Sequence, residues 1–348
     1  MNRIQSAENQ KGEIEFRKKL VQQQVSGAQL LKDEFSSLEI EQILRERMDD
    51  TFMQVSKLEQ QGLTLSPYVE IGAERCQRSL VMENDLNISG AAIDMSFDML
   101  KSCEHYSERF HRDKIPLRIC CDAYNLPFMS NSIPFVLCYE TLHHFPNPLP
   151  IVKELFRVLS PGGLFLFGEE PYKQILHFKV YERDRNYSTK SLKRNRLRTL
   201  VDHFFSEAPC NEIEHGVIEN HDISIDDWRS ILELFQRKEV WITSLKYCSE
   251  LYNPRNPLKF QIARLYGGWL SGTCTKPGSC ESPARNICDA IVCPLCRHTG
   301  KELKLVKRER HIYCMNCYST FPEVDNILFM FRREQLKELY PDIAVAQG

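Results

Sequence analysis

The sequence predicts an α/β fold in which a doubly wound parallel sheet follows an N-terminal helical arm and precedes a small cysteine-rich domain. Between residues 66 and 170, short apolar segments largely alternate with stretches of helical periodicity. Strands separated by helices form right-handed βαβ units. Residues 1–62 are rich in Glu, Gln, Lys and Arg, with apolar residues at helical spacing. Two Cys-x-x-Cys pairs near the C-terminal end indicate a further domain.

The region 66–170 supplies the strands of the sheet and the helices that cover it. The predicted strands are Tyr68–Ile71, Gly90–Ile93, Leu117–Cys121, Phe135–Tyr139 and Leu164–Phe167, and the predicted helices are Arg75–Glu83, Ser96–His111 and Asn147–Leu159. A parallel sheet of this kind is buried on both faces, and its ligands bind at the carboxyl ends of the strands. Functional residues are therefore expected where these strands end.

The composition is that of a globular chain of about two domains. Of its 348 residues, 42% are hydrophobic and 26% are charged, and the formal net charge is −2. This balance creates no global field that would attract nucleic acid or an anionic membrane surface. The first residues lack the apolar run of a signal peptide, and no stretch is apolar enough to span a bilayer. We therefore expect a cytoplasmic location.

Periodicity and composition divide the chain into five regions. A helical arm occupies residues 1–62, and the α/β domain occupies residues 63–270, with its core at 66–170 and a less regular part at 171–270. The segment 271–287 has the Gly, Pro and Ser content of a linker. The cysteine-rich domain covers residues 288–333, and a tail covers residues 334–348.

Two helices are predicted in the arm. Their apolar positions are Val21, Val25, Ala28, Leu31 and Phe35 in the first, and Ile40, Leu44, Met48, Phe52 and Val55 in the second. Ser36 and Glu39 form a capping box between them. The stripe lacks sustained heptads, which favours packing against the next domain over a partner-binding coiled coil. The arm could also cover an active site.

Three carboxylates stand at the ends of the first three strands. Glu70 closes the first strand, Asp94 the second and Asp122 the third. Their side chains are expected to line one edge of the sheet, where a carboxylate at the second strand accepts both hydroxyls of a ribose. The other interpretation is that Asp94 and Asp122 are helix caps or turn residues. Ser96 is a better cap than Asp94.

The turn after the first strand contains one glycine, Gly72, followed by Ala73, Glu74, Arg75 and Cys76. Nucleotide-binding turns usually contain three glycines, because bare amides approach a pyrophosphate there. A single glycine permits close approach of a ligand that has no pyrophosphate. The side chains of residues 74–76 are then expected to point away from that ligand.

Four segments between residues 66 and 170 resemble successive motifs of a known enzyme family. They are VEIGAERCQRS, GAAIDMSFDML, CDAYNLPFMSNSIPFVLCYETLHHF and KELFRVLSPGGLFLFGEEP. In order and distance they resemble the class I S-adenosylmethionine-dependent methyltransferases with a type 11-like domain, particularly the branch of quinone-biosynthesis C-methyltransferases. The resemblance implies a Rossmann-like methyltransferase sheet with S-adenosylmethionine as cofactor. Glu74 to Cys76 depart from the family's further glycines, and Pro134 stands where the family tends to have Asp.

The resemblance also implies a role for individual residues. Glu70, Gly72 and Ala73 belong to the turn under the methionine part of the cofactor. Asp94, with Met95, accepts the ribose hydroxyls, and Asp122 with Ala123 meets the adenine. Tyr139 and Glu140, at the end of the fourth strand, are expected near the sulfonium.

His143 and His144 follow the fourth strand directly and are the candidate catalytic residues. Because a sulfonium is already an activated methyl donor, methyl transfer needs little besides alignment of the acceptor. One imidazole could deprotonate an acceptor hydroxyl or hold it by a hydrogen bond. The alternative is that both are turn residues, since the sequence shows no partner that would orient either ring.

Acceptor recognition is expected from residues 171–270, where a helix is predicted at Ile223–Phe235. The stretch Ser188–Arg198 concentrates five cations: Lys190, Lys193, Arg194, Arg196 and Arg198. These side chains could grip phosphates of RNA or of a phosphorylated small molecule. A solvated helix face is the other interpretation, since no RNA-binding aromatic pattern accompanies the charges.

Cys293, Cys296, Cys314 and Cys317 form a C-x2-C-x17-C-x2-C pattern. This spacing predicts a tetrathiolate Zn²⁺ site rather than disulfides, because each pair directs two thiolates to one side. Four ligands leave no open position, so the zinc is expected to be structural. A module of this size has too little core to fold without its metal. The domain resembles the zinc ribbon of the small activator subunit of tRNA and protein methyltransferases.

Three hypotheses follow. The first is an S-adenosylmethionine-dependent methyltransferase, with a small-molecule acceptor favoured over RNA. The second is an RNA-binding protein that uses cations of the ribbon: Lys301, Lys304, Lys307, Arg308 and Arg310. The third is a silent scaffold that lost its cofactor through Glu74 to Cys76. A protein partner could bind the arm or the ribbon, and no membrane span is expected.

Overall fold

The computed structural model describes residues 5–26, 31, 37–178, 180–182, 201, 204–207, 211–244, 247–279, 283–308 and 311–345. The basic stretch predicted at 188–198 lies outside these residues. Ser36 lies outside them too, and with it the predicted capping box of the arm.

A twelve-stranded sheet runs through the protein. Its first strands are β1 Tyr68–Ile71, β2 Gly90–Asp94, β3 Leu117–Cys120, β4 Ile133–Tyr139 and β5 Leu159–Tyr172. The later strands are β8 Arg237–Ser244, β9 Tyr247–Glu250, β10 Gly268–Thr275, β11 Val306–Arg308, β12 His311–Tyr313, β13 Thr320–Val324 and β14 Ile327–Phe329, and a separate pair is formed by β6 Tyr181–Glu182 and β7 Ser206–Glu207. The order in the large sheet is β11-β12-β13-β14-β3-β2-β1-β4-β5-β10-β8-β9.

Helices cover both faces of this sheet. They are α1 Ala7–Ser26, α2 Ser37–Gln60, α3 Gln77–Asn84, α4 Phe97–Phe110, α5 Leu149–Val158, α6 Asn211–Glu214, α7 Ile225–Ile231, α8 Pro257–Tyr266, α9 Ile287–Ala290, α10 Pro294–His298, α11 Arg333–Leu339 and α12 Pro341–Val345. None of the helices in the described ranges combines the length and the apolar character needed to cross a membrane.

The predicted doubly wound α/β fold is confirmed. Strands β3, β2, β1, β4 and β5 are parallel, and their order reverses between β1 and β4. Residues of β1 and β4 are buried throughout, as expected for strands covered on both faces. Ser96 caps α4 by accepting a hydrogen bond from the Met99 amide at 3.3 Å, as predicted.

Two helices differ from their predicted ranges for a local reason. Helix α3 begins at Gln77 rather than Arg75, because Glu74 and Cys76 have positive φ angles of 45° and 60°. Helix α7 covers Ile225–Ile231 rather than the predicted Ile223–Phe235, because the chain continues after Ile231 as one 3₁₀ turn.

The predicted linker 271–287 needs a correction, because β10 extends to Thr275 and lies inside the large sheet. It pairs antiparallel with both β5 and β8. Gly272 looks like a linker residue but lies at a β-bulge, where an added Cβ would come within 2.4 Å of the Glu239 carbonyl oxygen. Close approach of two backbones, rather than flexibility, accounts for this glycine.

The arm packs against the α/β domain. Ile14, Leu44 and Met48 lie in one hydrophobic cluster with Leu80 and Leu100. The arm thus packs on the next domain, as the favoured interpretation of its apolar stripe predicted. Part of the predicted apolar stripe of α1 was wrong. The buried side of α1 contains Phe16 and Leu20, whereas the side chain of Val25 is 83% exposed.

The cysteine-rich domain is joined to the large sheet. Its strand β14 pairs in parallel with β3, so that Leu328 lies opposite Ile119. The buried guanidinium of Arg118 reinforces this junction by donating to the Asp325 carbonyl oxygen at 3.1 Å. The tail then returns to β2, where the Tyr340 hydroxyl donates to the Met95 carbonyl oxygen at 2.5 Å.

Candidate functional site

The candidate site is the carboxyl edge of the parallel strands. In sheets of this topology, ligands bind outside the carboxyl ends of the strands, at the point where the strand order reverses. Here that point lies between β1 and β4, and it brings together the turn 72–76, Asp94 and the residues that follow Tyr139. A cavity of about 530 Å³ lies at the other end of β4 and β5, lined by Pro134 and Gly162 among others. The predicted carboxylates do not line that cavity.

The glycine-poor turn keeps a backbone that normally calls for glycine at alternate positions. Gly72, Glu74 and Cys76 all have positive φ, at 67°, 45° and 60°. A residue with a Cβ pays about 1–2 kcal/mol in this region of φ/ψ space. The turn therefore has the shape of a three-glycine turn although only its first residue is glycine.

Gly72 itself is required by a neighbour. An added Cβ at this residue would come within 2.1 Å of the Thr141 hydroxyl oxygen, on the segment after β4. Ala73 is fully buried, and its amide donates to the Ile93 carbonyl oxygen at 2.9 Å. The turn is thus locked between β2 and the end of β4.

The side chains of residues 74–76 have partners in the protein. Glu74 forms an ion pair with Arg47 of α2 at 3.0 Å, and Arg17 of α1 lies 3.9 Å away. Although burial opposes it, the charges of these arginines and of Arg75 lower the pKa of Glu74 to about 2. The Arg75 guanidinium donates to Gln24 at 3.0 Å, and Cys76 is fully buried.

Glu70 is a buried carboxyl group in the middle of the sheet. Its side chain accepts a hydrogen bond from the Ser79 hydroxyl on α3. Burial raises the pKa of Glu70 to about 7, against the opposing effects of this hydrogen bond and of the Arg78 charge.

Replacing Glu70 with glutamine is expected to make the protein more stable at pH 8 and to change little at pH 5. The pKa of Glu70 is higher in the folded protein, at about 7, than the ordinary value of 4.5 expected in the unfolded chain. Its contribution to the free energy of unfolding is therefore complete below about pH 4.5 and is lost as the pH rises through about 7. Glutamine keeps the hydrogen bond and carries no charge. Urea unfolding should give a gain of about 2 kcal/mol at pH 8. A gain of equal size at both pH values would contradict this explanation.

Asp94 ends β2 and holds the turn. Its two oxygens accept the amide hydrogens of Glu74 at 2.9 Å and of Ser96 at 2.8 Å. Burial raises the pKa of Asp94 to about 6, although both hydrogen bonds oppose this. A carboxylate has about four acceptor positions, so two remain for hydroxyl donors of a ligand.

Asp122 follows β3 and has the capping role of the alternative interpretation. It caps the 3₁₀ turn Ala123–Asn125 by accepting from the Tyr124 amide at 2.9 Å. Its second oxygen accepts from the side-chain amides of Gln10 on α1 at 3.2 Å and Gln335 on α11 at 2.8 Å. The arm and the tail therefore meet over this part of the edge.

The remaining predicted cofactor residues also lie along this edge. Met95 follows Asp94 and is held by Tyr340. The Tyr139 hydroxyl donates to Gln54 of α2 at 2.7 Å. Glu140 forms an ion pair with Arg47, which connects it to Glu74. A network of acidic and basic side chains thus lies at the carboxyl ends of the paired strands β1 and β4.

His143 has the orienting partner that the sequence did not show. Its Nδ1 lies 2.9 Å from a carboxylate oxygen of Glu170, near the end of β5. Glu170 is fully buried and also accepts the backbone amides of Thr141, Leu142 and His143 at 2.9–3.1 Å. Both the ring and the turn that carries it are fixed by this one carboxylate.

His144 interacts with Glu219, in the segment between α6 and α7. Its Nδ1 lies 2.9 Å from Glu219 Oε1 and 3.0 Å from the Ile218 carbonyl oxygen. Burial alone would lower the pKa of His144, but the hydrogen bond and charge of Glu219 raise it to about 9. The same pairing, with His221, lowers the pKa of Glu219 against the effect of burial.

The four predicted zinc ligands converge at one point. Their sulfur atoms all lie within 4.8 Å of one another, and the Cys293–Cys317 and Cys296–Cys314 pairs are each 3.6 Å apart. Tetrahedral zinc with bonds of about 2.3 Å requires sulfur separations close to this value, whereas a disulfide needs about 2 Å. Cys288 is an exposed free thiol outside the cluster. The arrangement is compatible with a tetrathiolate zinc site.

Sequence reasoning missed several residues of the edge. Glu70, Asp94 and Asp122 were identified because they stand where parallel strands end. Glu170 stands near the end of β5, so the same rule would have identified it. Gln10, Gln335 and Glu219 lie far away along the chain, and no motif marks them.

Comparison with known proteins finds similarity to methyltransferases in part of the chain. A family model described as a methyltransferase domain matches residues 69–167. The 27-O-demethylrifamycin SV methyltransferase of Amycolatopsis mediterranei is 29% identical over 89 residues, which cover 25% of this chain and 31% of that protein. The malonyl-[acyl-carrier protein] O-methyltransferase of Marinomonas sp. is 35% identical over 77 residues, covering 22% and 27%. An uncharacterized chloroplastic methyltransferase of Arabidopsis thaliana is 34% identical over 90 residues, covering 25% of each chain.

The chain thus spans between a quarter and a third of the length of these curated relatives. Among solved structures, a chain from the complex between the Haloferax volcanii Trm112 methyltransferase activator and a methyltransferase aligns with a TM-score of 0.37 and 15% identity, covering 67% of this chain and 93% of that chain. A Pyrococcus horikoshii protein aligns with a TM-score of 0.41 and 16% identity, covering 67% and 90%. Over residues 69–167, this chain contains a methyltransferase domain.

Proposed function

We propose that this protein transfers a methyl group from S-adenosylmethionine to a small-molecule acceptor bound at the carboxyl edge. The observation that carries the proposal is the convergence of Asp94, the turn 72–76 and the residues after β4 at the point of strand-order reversal. The sulfonium of the cofactor supplies an activated methyl group. The protein has to bind the donor, align the acceptor and exclude water.

The side chains at the edge fit the chemistry of this cofactor. The free acceptor positions of Asp94 suit two ribose hydroxyls. The network of Arg17, Arg47, Glu74 and Glu140 offers both charge signs to a zwitterionic amino-acid group. At the start of α3, Gln77 Oε1 is buried and accepts no hydrogen bond from any described residue, so it could accept one from an ammonium group.

The part of the edge proposed to hold the adenine is already in contact with protein side chains. Asp122, proposed with Ala123 to meet the adenine, is shared by Gln10 and Gln335. An adenine amine would take the place of one of these amides or add to them. Both glutamines belong to segments outside the core of the domain, so the arm and the tail would close over a bound nucleoside.

A small molecule is the favoured acceptor because the edge is covered. The arm contacts Asp122, Glu74 and Glu140, and the tail contacts Asp122 and Met95. On the ribbon, the Lys307 ammonium pairs with Glu323 at 2.6 Å and Lys304 lies 3.9 Å from Asp289, which weakens the case for RNA.

His143 and His144 are proposed to lie on the acceptor side of the methyl group. Glu170 fixes the ring of His143, so its Nε2 keeps a constant direction. An oriented ring can hold or deprotonate an acceptor hydroxyl.

Calorimetry with S-adenosylmethionine and its demethylated product tests donor binding. We expect both to bind and to stabilise the fold, by about 2.7 kcal/mol at one hundred times the dissociation constant. Absence of heat and of thermal stabilisation at millimolar ligand would favour a silent scaffold instead.

The acceptor class is tested with a donor carrying a labelled methyl group. Incubation with a cell extract, followed by separation of metabolites from RNA and protein, should give label in the metabolite fraction. Label in RNA, with binding that weakens steeply between low and physiological salt, would support an RNA methyltransferase.

A further inference from the structure

A second set of ligand-type side chains lies beside the proposed cofactor edge. One ring nitrogen each of His143 and His144 and one carboxylate oxygen of Glu219 lie within 4.8 Å of one another. Two imidazole nitrogens and a carboxylate oxygen form a donor set that binds divalent transition metals, including Zn²⁺, Fe²⁺ and Co²⁺.

The carboxylate of this set is buried among imidazoles. The side chain of Glu219 is only 8% exposed, its Oε1 lies 2.9 Å from His144 Nδ1, and its Oε2 lies 3.1 Å from His221 Nε2. The Nδ1 of His144 also lies 3.0 Å from the Ile218 carbonyl oxygen, so a metal ion bound to this nitrogen would replace its hydrogen. A buried carboxylate needs a cationic partner, and a metal ion would supply one.

The ring of His143 is arranged as metal-binding histidines usually are. Its Nδ1 is bonded to the buried carboxylate of Glu170, so that Nε2 is the nitrogen left for a ligand. That Nε2 lies 3.6 Å from Oε2 of Glu219. A carboxylate behind the imidazole fixes its tautomer and its direction, and it raises the affinity of the other nitrogen for metal.

The separations suit a single ion. Metal bonds of about 2.0–2.2 Å to nitrogen and oxygen put neighbouring ligand atoms roughly 3.0–3.5 Å apart. The observed separations are 3.6 Å from Glu219 Oε2 to His143 Nε2 and 2.9 Å from Glu219 Oε1 to His144 Nδ1, so the two carboxylate oxygens each face one ring nitrogen. The segment that carries Glu219 is held in place, since the Asn220 amide donates to the His143 carbonyl oxygen at 2.8 Å.

We propose that His143, His144 and Glu219 bind one divalent transition-metal cation. Three protein ligands leave at least one coordination position for water or for an oxygen of a bound molecule. This metal binding does not depend on the proposed methyl transfer. In combination with that function, and resting on it, the open position would hold an oxygen of the acceptor, and the metal ion would take the place of a direct contact between His143 Nε2 and the acceptor hydroxyl.

Cobalt is the probe, because its visible spectrum reports the ligand atoms. The 348-residue chain, loaded with zinc at the ribbon, is titrated with Co²⁺ without any nucleoside. We expect one cobalt per chain with the weak visible bands of nitrogen and oxygen ligation, and without the intense near-ultraviolet band of a cobalt thiolate. Glu219→Gln and His144→Ala should each weaken binding by at least about tenfold.

The control is His105→Ala, which removes an exposed histidine of α4 and should leave cobalt affinity unchanged. Circular dichroism verifies that each variant is folded. Wild-type protein that shows no such spectrum, or equal affinity in folded Glu219→Gln, would overturn the inference. The cobalt titration contains no nucleoside, so it is independent of the calorimetric test of donor binding. If cobalt binds but S-adenosylmethionine does not, the metal site is upheld while the proposed function fails.

Discussion

Cys314→Ser is expected to abolish zinc binding and to lower the melting temperature by about 10 °C or more. Cys314 is fully buried, and its sulfur lies 3.6 Å from that of Cys296. Its domain shares a hydrophobic cluster with the α/β domain, and β14 extends the large sheet beside β3. The loss of zinc should therefore also destabilise the part of the large sheet formed by β14 and β3. Zinc content by mass spectrometry of metals, with a thermal melt, measures both effects.

Cys288→Ser is the matched control, because Cys288 is an exposed thiol close to the ribbon but outside the cluster. It should keep one zinc per chain after passage through metal-free buffer, and it should melt like the wild type. An unchanged melting temperature in zinc-free Cys314→Ser would mean that the metal does not support the fold.

Asp94→Ala is expected to weaken S-adenosylmethionine binding by at least about 100-fold. Each hydrogen bond to a charged group contributes about 1.5–3 kcal/mol, and two ribose hydroxyls would lose their acceptor. The turn would also lose the bond from the Glu74 amide at 2.9 Å. Calorimetry on the folded variant measures the change.

Asp98→Asn provides the control, since Asp98 lies in the first turn of α4, close to Asp94 but outside the edge. Its affinity should equal that of the wild type. The pKa of Asp94 is raised to about 6, so wild-type affinity should fall as the pH drops through that value, whereas the affinity of Asp94→Ala should not. Equal binding by Asp94→Ala would refute the ribose assignment.

The parallel core could be predicted because apolar strands and helices alternate in sequence, so local pattern and global fold agree. Strand β1 occupies the predicted range, and the cap at Ser96 was visible in the sequence. The error at β10 has a physical reason. Gly272 has the composition of a linker, but its lack of a side chain serves close backbone packing at a bulge.

The turn 72–76 shows where the sequence is insufficient. Glu74 and Cys76 adopt backbone angles that glycine adopts without strain, and no local pattern reveals this. The conformation is held by tertiary contacts, above all by Thr141 against Gly72 and by the bond from Glu74 to Asp94.

The contacts of the arm and the tail with the carboxyl edge also could not be predicted, and the reason is a different one. Gln10 and Gln335 approach Asp122 across 112 and 213 residues of sequence. Contacts of such range depend on how whole elements dock, which no spacing rule encodes. The zinc cluster is the opposite case, because its ligand pairs are local and their spacing alone identifies the site.

Crystals soaked with S-adenosylhomocysteine test the central claim most directly. We predict density for the nucleoside along the carboxyl edge, with both ribose hydroxyls on the Asp94 carboxylate and the base beside Asp122. An edge without ligand density, in which Gln10 and Gln335 still occupy Asp122, would contradict the assignment of this edge as the cofactor site.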